Sequence, residues 1–417
     1  MESYIINGGV KLKGKIPIQG SKNSSVAVLI AALITEGTTE FHGIPDISDV
    51  SDCITILQCL GCNVEIIDKS VIRVNTAGAE NGKIPDELLC RMRASSYLIG
   101  ALLSKFGICD NIISGGCDFG SRPLDLHILA MEKLGAKYAQ TEYGELLSAP
   151  QGLHGCEISF PVRTVGGTIN AMIASAKADG ITIIRGAACE PHISDVALFL
   201  NRCGADIRGA GSDTIVIHGV KKLHGCNFTV CSDMIEAGTF ITYSLLTGGD
   251  ITCNNAPVSQ LGAFIELIKD MGANIETGDN SVRVRPSALT PSSIYTAPYP
   301  GFPTDLHPQT AVLMSLADGN SELLETVFEN RFRYLEPLRS LGLKAEVCGS
   351  KLTIFGNTVY KGGKVSATDL RGGAALVGAA LCAVGTSVIN EVSYIERGYS
   401  GFVNKLRALG ADITAHK

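Results

Sequence analysis

Three stretches of the chain carry residue types suited to chemistry. The first is Ser114-Gly-Gly-Cys117-Asp-Phe-Gly120-Ser-Arg122-Pro-Leu-Asp125-Leu-His127. Three glycines surround Cys117, which predicts a mobile segment and an approachable thiol. Arg122 lies five residues on and would lower the thiol pKa if it approached in space; the thiolate is the reactive form. The plain alternative is a surface loop with a buried thiol, although a packing cysteine more naturally occupies a helix or strand. The second stretch, Gln19-Gly20-Ser21-Lys22-Asn23-Ser24, combines a glycine turn, a cation and a helix start, which suits a phosphate or carboxylate. The third, Phe302-Pro303-Thr304-Asp305, sets a carboxylate before an apolar helix, as a general base or as an N-cap. Arg331, Arg371 and Arg397 are scattered in sequence, and scattered arginines are usually solvated. Their placement between strands and helices would let them meet at one anion. Gly9-x4-Gly14-Lys15-Ile16 comes close to a P-loop, but it lacks the terminal Ser/Thr and alternates like a strand.

The rest of the chain must position these groups. It has 417 residues, 45% apolar and 18% charged, enough to bury a sizeable core and too apolar for a disordered protein. The net charge of −6 argues against a broad nucleic-acid footprint, while leaving room for a local basic site. Mean hydropathy is +0.23, yet the two most apolar runs, 26–34 and 374–384, fall well short of a membrane span. The first residues do not resemble a signal peptide, so a cytoplasmic location is expected. Fourteen cysteines in such a compartment stay reduced. Only Cys59-Leu-Gly-Cys62 has metal-like spacing, with no matching second pair, so most cysteines are expected to be small core residues.

A repeat organises the chain. Leu60-Gly61-Cys62, Leu134-Gly135-Ala136, Cys203-Gly204-Ala205, Met271-Gly272-Ala273, Leu341-Gly342-Leu343 and Leu409-Gly410-Ala411 share one signature. Their glycines are separated by 74, 69, 68, 70 and 68 residues. Each copy has an Ala-rich apolar helix (24–34, 94–103, 168–178, 237–246, 309–317 and 373–383), a Gly-containing turn and a β-branched strand such as 181–184. A second, amphipathic helix then leads to the signature glycine. That glycine suits a left-handed helix terminus, and an alternating strand such as 63–66 follows. Cys62 and Cys203 occupy positions that carry apolar residues in other copies, so both read as packing residues. Six βαβ-like units of about 70 residues predict an α/β protein with two lobes of three units each. Lys22-Asn23, Arg93, Arg163-Thr164-Val165-Gly166, Asp233 with Glu236, Asp305, and Asp369 with Arg371 stand near the six apolar helix starts. Helix starts attract anions, and Arg and Lys are poor caps, so the set predicts a polar cleft between lobes if the starts converge.

These motifs resemble those of the UDP-N-acetylglucosamine 1-carboxyvinyltransferases, the enolpyruvyl transferases that open bacterial peptidoglycan synthesis. The resemblance covers essentially the whole chain. It rests on GSKN at 20–23, RMRAS at 91–95, GGCDFGSRPLDLH at 115–127, EAGTF at 236–240, FPTD at 302–305, ETVFENRF at 325–332, ATDLR at 367–371 and ERGY at 396–399. It implies a two-lobed inside-out α/β barrel with one lobe at 22–230. The other would combine 1–21 with 231–417, and a ligand cleft would lie between them. It implies addition–elimination, in which the sugar 3′-hydroxyl attacks C2 of phosphoenolpyruvate, C3 is protonated and phosphate leaves. Cys117 would be the proton donor and the target of fosfomycin, and Asp305 the base. Lys22, Arg122 and Arg397 would surround the phosphate, with Arg371 near the carboxylate and Asn23 also at phosphoenolpyruvate. Asn23, Arg93, Arg122, Pro123, Leu124, Asp125, Leu126, Val162, Arg163, Thr164, Val165, Asp305 and Val327 would line the UDP-sugar. No metal or cofactor is implied; the partners are the two small substrates, and the sequence sets no oligomeric state, although a monomer is plausible. Three positions depart from the family. Val162 replaces a frequent Lys, with Arg163 beside it as a substitute cation. Asp118 follows the cysteine, and Met234 stands where Arg is common. Two alternatives stay open: the shikimate-pathway enolpyruvyl transferase, which is not expected to carry the GGC loop, and a non-catalytic UDP-sugar-binding paralogue.

Overall fold

The computed structural model describes residues 3–110, 124–142 and 144–416. The chain forms two compact units, Gly20–Cys231 and Met1–Gln19 with Ser232–Lys417. Each has its own hydrophobic core.

In the first unit the helices Lys22–Ala31, Leu98–Phe106 and Val165–Ser175 pack at the centre. In the second, Met234–Leu246, His307–Met314 and Leu370–Cys382 do the same. These are the six Ala-rich segments, and they are apolar around the whole circumference, as buried helices must be. Their polar members are absorbed locally. Thr168, Thr239 and Thr242 donate their hydroxyls to carbonyls one turn back. Small residues allow close approach: a Cβ on Gly100 would lie 2.5 Å from the Asn170 carbonyl oxygen.

Sheets surround the helices. A typical repeat runs strand Glu157–Ser159, central helix, strand Ile181–Arg185, outer helix Pro191–Arg202, then the hairpin Asp206–Arg208 and Thr214–His218. The first strand pairs in parallel with the second, which pairs antiparallel with the last. Alternating burial along these strands puts one face on the helices and the other toward solvent. Five sheets have four strands and one has three, and among the described residues they stay separate rather than joining into one closed barrel. All six signature glycines have positive φ, from 76° to 117°, after an outer helix. A side chain is strained in that backbone region, and glycine is not.

The N-terminal segment completes the second unit. Ser3–Asn7 inserts between Thr386–Asn390 and Asp412–His416, and Lys13–Pro17 pairs in parallel with Asp250–Asn254. In the first unit Asn227–Thr229 closes the sheet of Thr38–His42. One expected helix is different. The segment 94–103 is a 3-10 turn, Arg93–Tyr97, before the α-helix begins at Leu98. The Ser95 hydroxyl donates to the carbonyls of Leu89 and Met92 at 2.7 and 2.8 Å, anchoring the tighter turn to the preceding segment.

Candidate active site

The first unit presents Lys22 as the first residue of its central helix, capped by Ser21, whose side chain accepts from the Ser24 N–H. Lys22 Nζ lies 2.8 Å from Asp49, near the start of the outer helix Ser48–Cys59. Asn23, one residue on, is half-buried. Beside the same helix start, Asp195 of a second outer helix accepts from the Cys231 N–H at 2.9 Å. Burial pushes the Asp195 carboxyl up, against hydrogen bonds from Cys231 and Ser24.

Arg93 opens the 3-10 turn and is half-buried. Asp125 begins the helix Asp125–Lys133 and is exposed; Leu124 is buried and Leu126 half-buried. Two residues beyond Asp125, His127 is buried, with Nδ1 2.7 Å from Asn170 Nδ2. That amide donates there and to the Ser96 carbonyl, while its oxygen accepts from the Gly100 N–H. Burial, with Arg93 nearby, pushes His127 down to about 3, so the ring is neutral and Nδ1 is the acceptor. The His127 ring leaves no space for a side chain at position 166, where a Cβ would lie 2.5 Å from Cε1. The imidazole therefore sets the start of the helix Val165–Ser175, which Thr164 caps through the Gly167 N–H. Val162 and Arg163 are exposed just before it, and Val165 is half-buried in the first turn.

The second unit holds Asp305 in a 3-10 turn before the helix His307–Met314. The residues at the two N-cap positions here are Pro303 and Leu306 rather than Asp305. Its carboxylate is gripped by two guanidiniums, Arg331 at 3.1 Å on Oδ1 and Arg371 at 3.0 and 3.3 Å on Oδ2. Arg371 is buried at the start of Leu370–Cys382, which Asp369 caps through the N–H groups of Arg371 and Gly372. Burial works against the Arg371 charge; Asp305 and Tyr399 outweigh it and raise the pKa above its ordinary value. Arg371 Nη1 also reaches the Tyr399 hydroxyl at 3.4 Å. Arg397 stands two residues earlier, where the short helix Ser393–Glu396 ends. Asp233, like Asp369, is an N-cap, which accounts for its place at a helix start.

Glu325 ties this unit's polar groups together. One carboxylate oxygen accepts from the Thr296 hydroxyl at 2.9 Å and from the Val327 and Phe328 N–H groups at 2.8 and 3.0 Å. The other accepts from Thr304 at 2.8 Å and from His307 Nδ1 at 2.9 Å. Burial alone would raise this carboxyl, but the donors, His307 first, hold it down at about 2. His307 is fully buried, which disfavours its charge, and its Nε2 lies 3.0 Å from the Tyr334 hydroxyl. Glu325 thus fixes both the segment before Asp305 and the turn carrying Val327.

Among the residues expected at the site, direct contact joins Asp305 to Arg371. Arg331 joins them on the Asp305 carboxylate, an arrangement different from the expected meeting of Arg331, Arg371 and Arg397 at an anionic ligand. Lys22, Asn23, Arg93, Leu124, Asp125, Leu126, Val162, Arg163, Thr164 and Val165 belong to the first unit, and Asp305, Val327, Arg371 and Arg397 to the second. Cys117, Arg122 and Pro123 lie outside the described residues, as does Asp118. Asp49, Asn170 and Glu325 escaped the sequence reading as supporting groups. Asp49 sits early in an outer helix, away from the central helix starts where charges stand out in the sequence; Glu325 is visible there only as part of a motif. Among the described residues no group of three His, Cys, Asp or Glu side chains is arranged to hold a metal ion.

The comparisons with known proteins agree with this architecture. Residues 6–406 match the family described as EPSP synthase (3-phosphoshikimate 1-carboxyvinyltransferase). A protein of Caldanaerobacter subterraneus named UDP-N-acetylglucosamine 1-carboxyvinyltransferase 3 is 46% identical over 99% of both chains. The UDP-N-acetylglucosamine 1-carboxyvinyltransferase of Methylacidiphilum infernorum is 40% identical, again over 99% of each. The crystal structure of the enolpyruvyl transferase NikO from Streptomyces tendae superimposes with a TM-score of 0.90 at 26% identity, covering 100% of this chain and 99% of that one. The chain belongs to the EPSP synthase family of enolpyruvyl transferases and, within it, to the UDP-N-acetylglucosamine 1-carboxyvinyltransferases.

Proposed function

We propose that this protein transfers the enolpyruvyl group of phosphoenolpyruvate to the 3′-hydroxyl of UDP-N-acetylglucosamine and releases phosphate, the first committed step of peptidoglycan synthesis. The observation that carries this reading is the 46% identity, over nearly the full length of both chains, to a protein named for that reaction. Asp305 takes the proton of the sugar hydroxyl as that oxygen bonds to C2 of phosphoenolpyruvate, and Cys117 gives a proton to C3. Loss of a C3 proton from the tetrahedral adduct then expels phosphate and restores the double bond.

The chain's residues fit these roles. Both substrates are polyanions, and fixed cations stabilise charge that develops in a water-poor site. Lys22, Arg122 and Arg397 surround the phosphate, with Asn23 beside it, and Arg371 lies near the carboxylate. Arg331 and Arg371 fix the plane of the Asp305 carboxylate, so the base is oriented before substrate binds. Arg93, Arg122 to Leu126, Val162 to Val165, and Val327 line the UDP-sugar, and Arg163 supplies the cation that Val162 does not. The location that goes with this reaction is the cytoplasm; among the described residues no helix is long and apolar enough to cross a membrane.

The test is phosphate release from phosphoenolpyruvate with UDP-N-acetylglucosamine or shikimate 3-phosphate as acceptor. Release with the sugar nucleotide alone is expected. Release with shikimate 3-phosphate would move the protein to the other branch, and tight UDP-sugar binding without release would make it a non-catalytic binder.

A further inference from the structure

We propose that Cys203 and Cys226 form a peroxide-responsive thiol pair that closes to a disulfide, a modification site separate from the transferase chemistry. Cys203 ends the outer helix Pro191–Arg202, and Cys226 directly precedes the strand Asn227–Thr229. Their sulfurs are in contact at 3.5 Å, with the Cys203 thiol donating to Cys226. A disulfide needs about 2.0 Å between sulfurs, so closure requires an approach of roughly 1.5 Å at the ends of two side chains.

The pair is asymmetric. Cys203 is fully buried, whereas Cys226 is half-buried. Two cationic or ionisable groups flank Cys226. Arg202 donates to the Asn227 carbonyl at 3.2 Å and lies 5.9 Å from the centre of the Phe228 ring. His224, two residues earlier, has Nδ1 2.9 Å from the Gly225 carbonyl. The hydrogen bond from Cys203, with Arg202 and His224 beside it, holds the Cys226 pKa down against the effect of burial. The same contact and burial push Cys203 the other way. One thiol therefore ionises readily and the other holds its proton, the division of labour between an attacking and a resolving cysteine.

The steps balance. The Cys226 thiolate attacks one peroxide oxygen, the O–O bond breaks, and hydroxide leaves as Cys226 becomes a sulfenic acid. The Cys203 sulfur then attacks the Cys226 sulfur; the S–O bond breaks and water leaves with the Cys203 proton. Two thiols lose two electrons in all, and peroxide becomes two waters once the hydroxide is protonated. The new bond ties the end of the outer helix to a strand that closes the sheet of Thr38–His42.

The experiment treats the full-length protein with stoichiometric hydrogen peroxide, alkylates the remaining thiols and maps the cysteine peptides by mass spectrometry. The expected result is a Cys203–Cys226 cross-link that dithiothreitol reverses and that raises the Tm. Cys203→Ser, whose hydroxyl can still donate to Cys226, should leave Cys226 as a sulfenic acid captured by dimedone. Cys226→Ser, at the half-buried position, should leave Cys203 a free thiol under the same dose, and keeps the test available if the buried substitution prevents folding. Both native thiols remaining alkylatable after peroxide, or Cys226 joined to a different cysteine, would overturn the proposal.

Discussion

Glu325 offers a quantitative test of how the second unit is held together. Its five donors differ in what they can do when the carboxylate is lost. The Thr296 and Thr304 hydroxyls can rotate, and His307 can switch tautomer, with Nε2–H then donating to Tyr334. The Val327 and Phe328 N–H groups cannot turn away. Glu325→Ala leaves those two without their acceptor, at about 1–3 kcal/mol each, or roughly 2–6 kcal/mol together. Glu325→Gln keeps one oxygen for both N–H groups and presents its amide to Thr304 and His307, which can accept from it. Its loss should be about 1–2 kcal/mol, the difference between a charge-assisted and a neutral hydrogen bond. Urea unfolding of both variants measures this, and UDP-N-acetylglucosamine affinity should fall more for the alanine variant, because Val327 loses its anchor. Equal destabilisation of the two, within about 0.5 kcal/mol, would refute the hub argument, since burial and volume rather than fixed donors would then set the loss.

The remaining predictions concern the thiol, the helix start and pH. Cys117→Ala should abolish or severely reduce phosphate release while UDP-N-acetylglucosamine binding by calorimetry persists, and fosfomycin should add its mass to the native protein and not to this variant; undiminished turnover would remove Cys117 from the mechanism. Gly166→Ala drives a Cβ into the pinned His127 ring and should lose about 1–3 kcal/mol by overpacking, whereas Gly262→Ala, where a Cβ meets nothing within 4 Å, should be neutral or stabilising; equal effects in thermal unfolding would contradict the role given to His127. The Glu325 pKa is about 2 when folded and 4.5 as the ordinary value, so its contribution is complete above pH 4.5 and is lost as pH falls toward 2. Between pH 5 and 3 the native protein should lose about 2 kcal/mol more than Glu325→Gln, and parallel acid limbs in the two unfolding series would contradict this.

The fold was readable where local rules and tertiary structure agree. The signature glycines recur because each outer helix ends in a left-handed residue, and that need leaves a mark in sequence at every copy. The central helices were visible because burial on all sides makes them apolar on all sides. Their true starts came two or three residues earlier in several cases, since caps such as Thr164 and Asp369 are polar and look like loop. The 94–103 segment looked like one helix because Ser95 and Ser96 carry no periodic signal, and only the position of the Leu89 and Met92 carbonyls shows why the first turn tightens.

The site was less readable, for a different reason. Asp305 and Arg371 stood out as charges at helix starts, yet their ion pair joins residues 66 positions apart. Whether Asp305 was a cap or a base could not be read from its neighbours, and the two arginines on its oxygens come only with coordinates. Glu325 is an acidic residue between a strand and a turn, and nothing in its local sequence announces five donors converging on it.

In the proposed reaction Asp305, oriented by Arg331 and Arg371, receives the proton of the sugar hydroxyl. A crystal structure of the protein with UDP-N-acetylglucosamine measures this most directly. The 3′-hydroxyl is expected within about 2.6–3.2 Å of the Asp305 carboxylate, with both arginines still in place. A bound sugar whose 3′-hydroxyl lies beyond reach of that carboxylate and of any water bridging to it would contradict the claim.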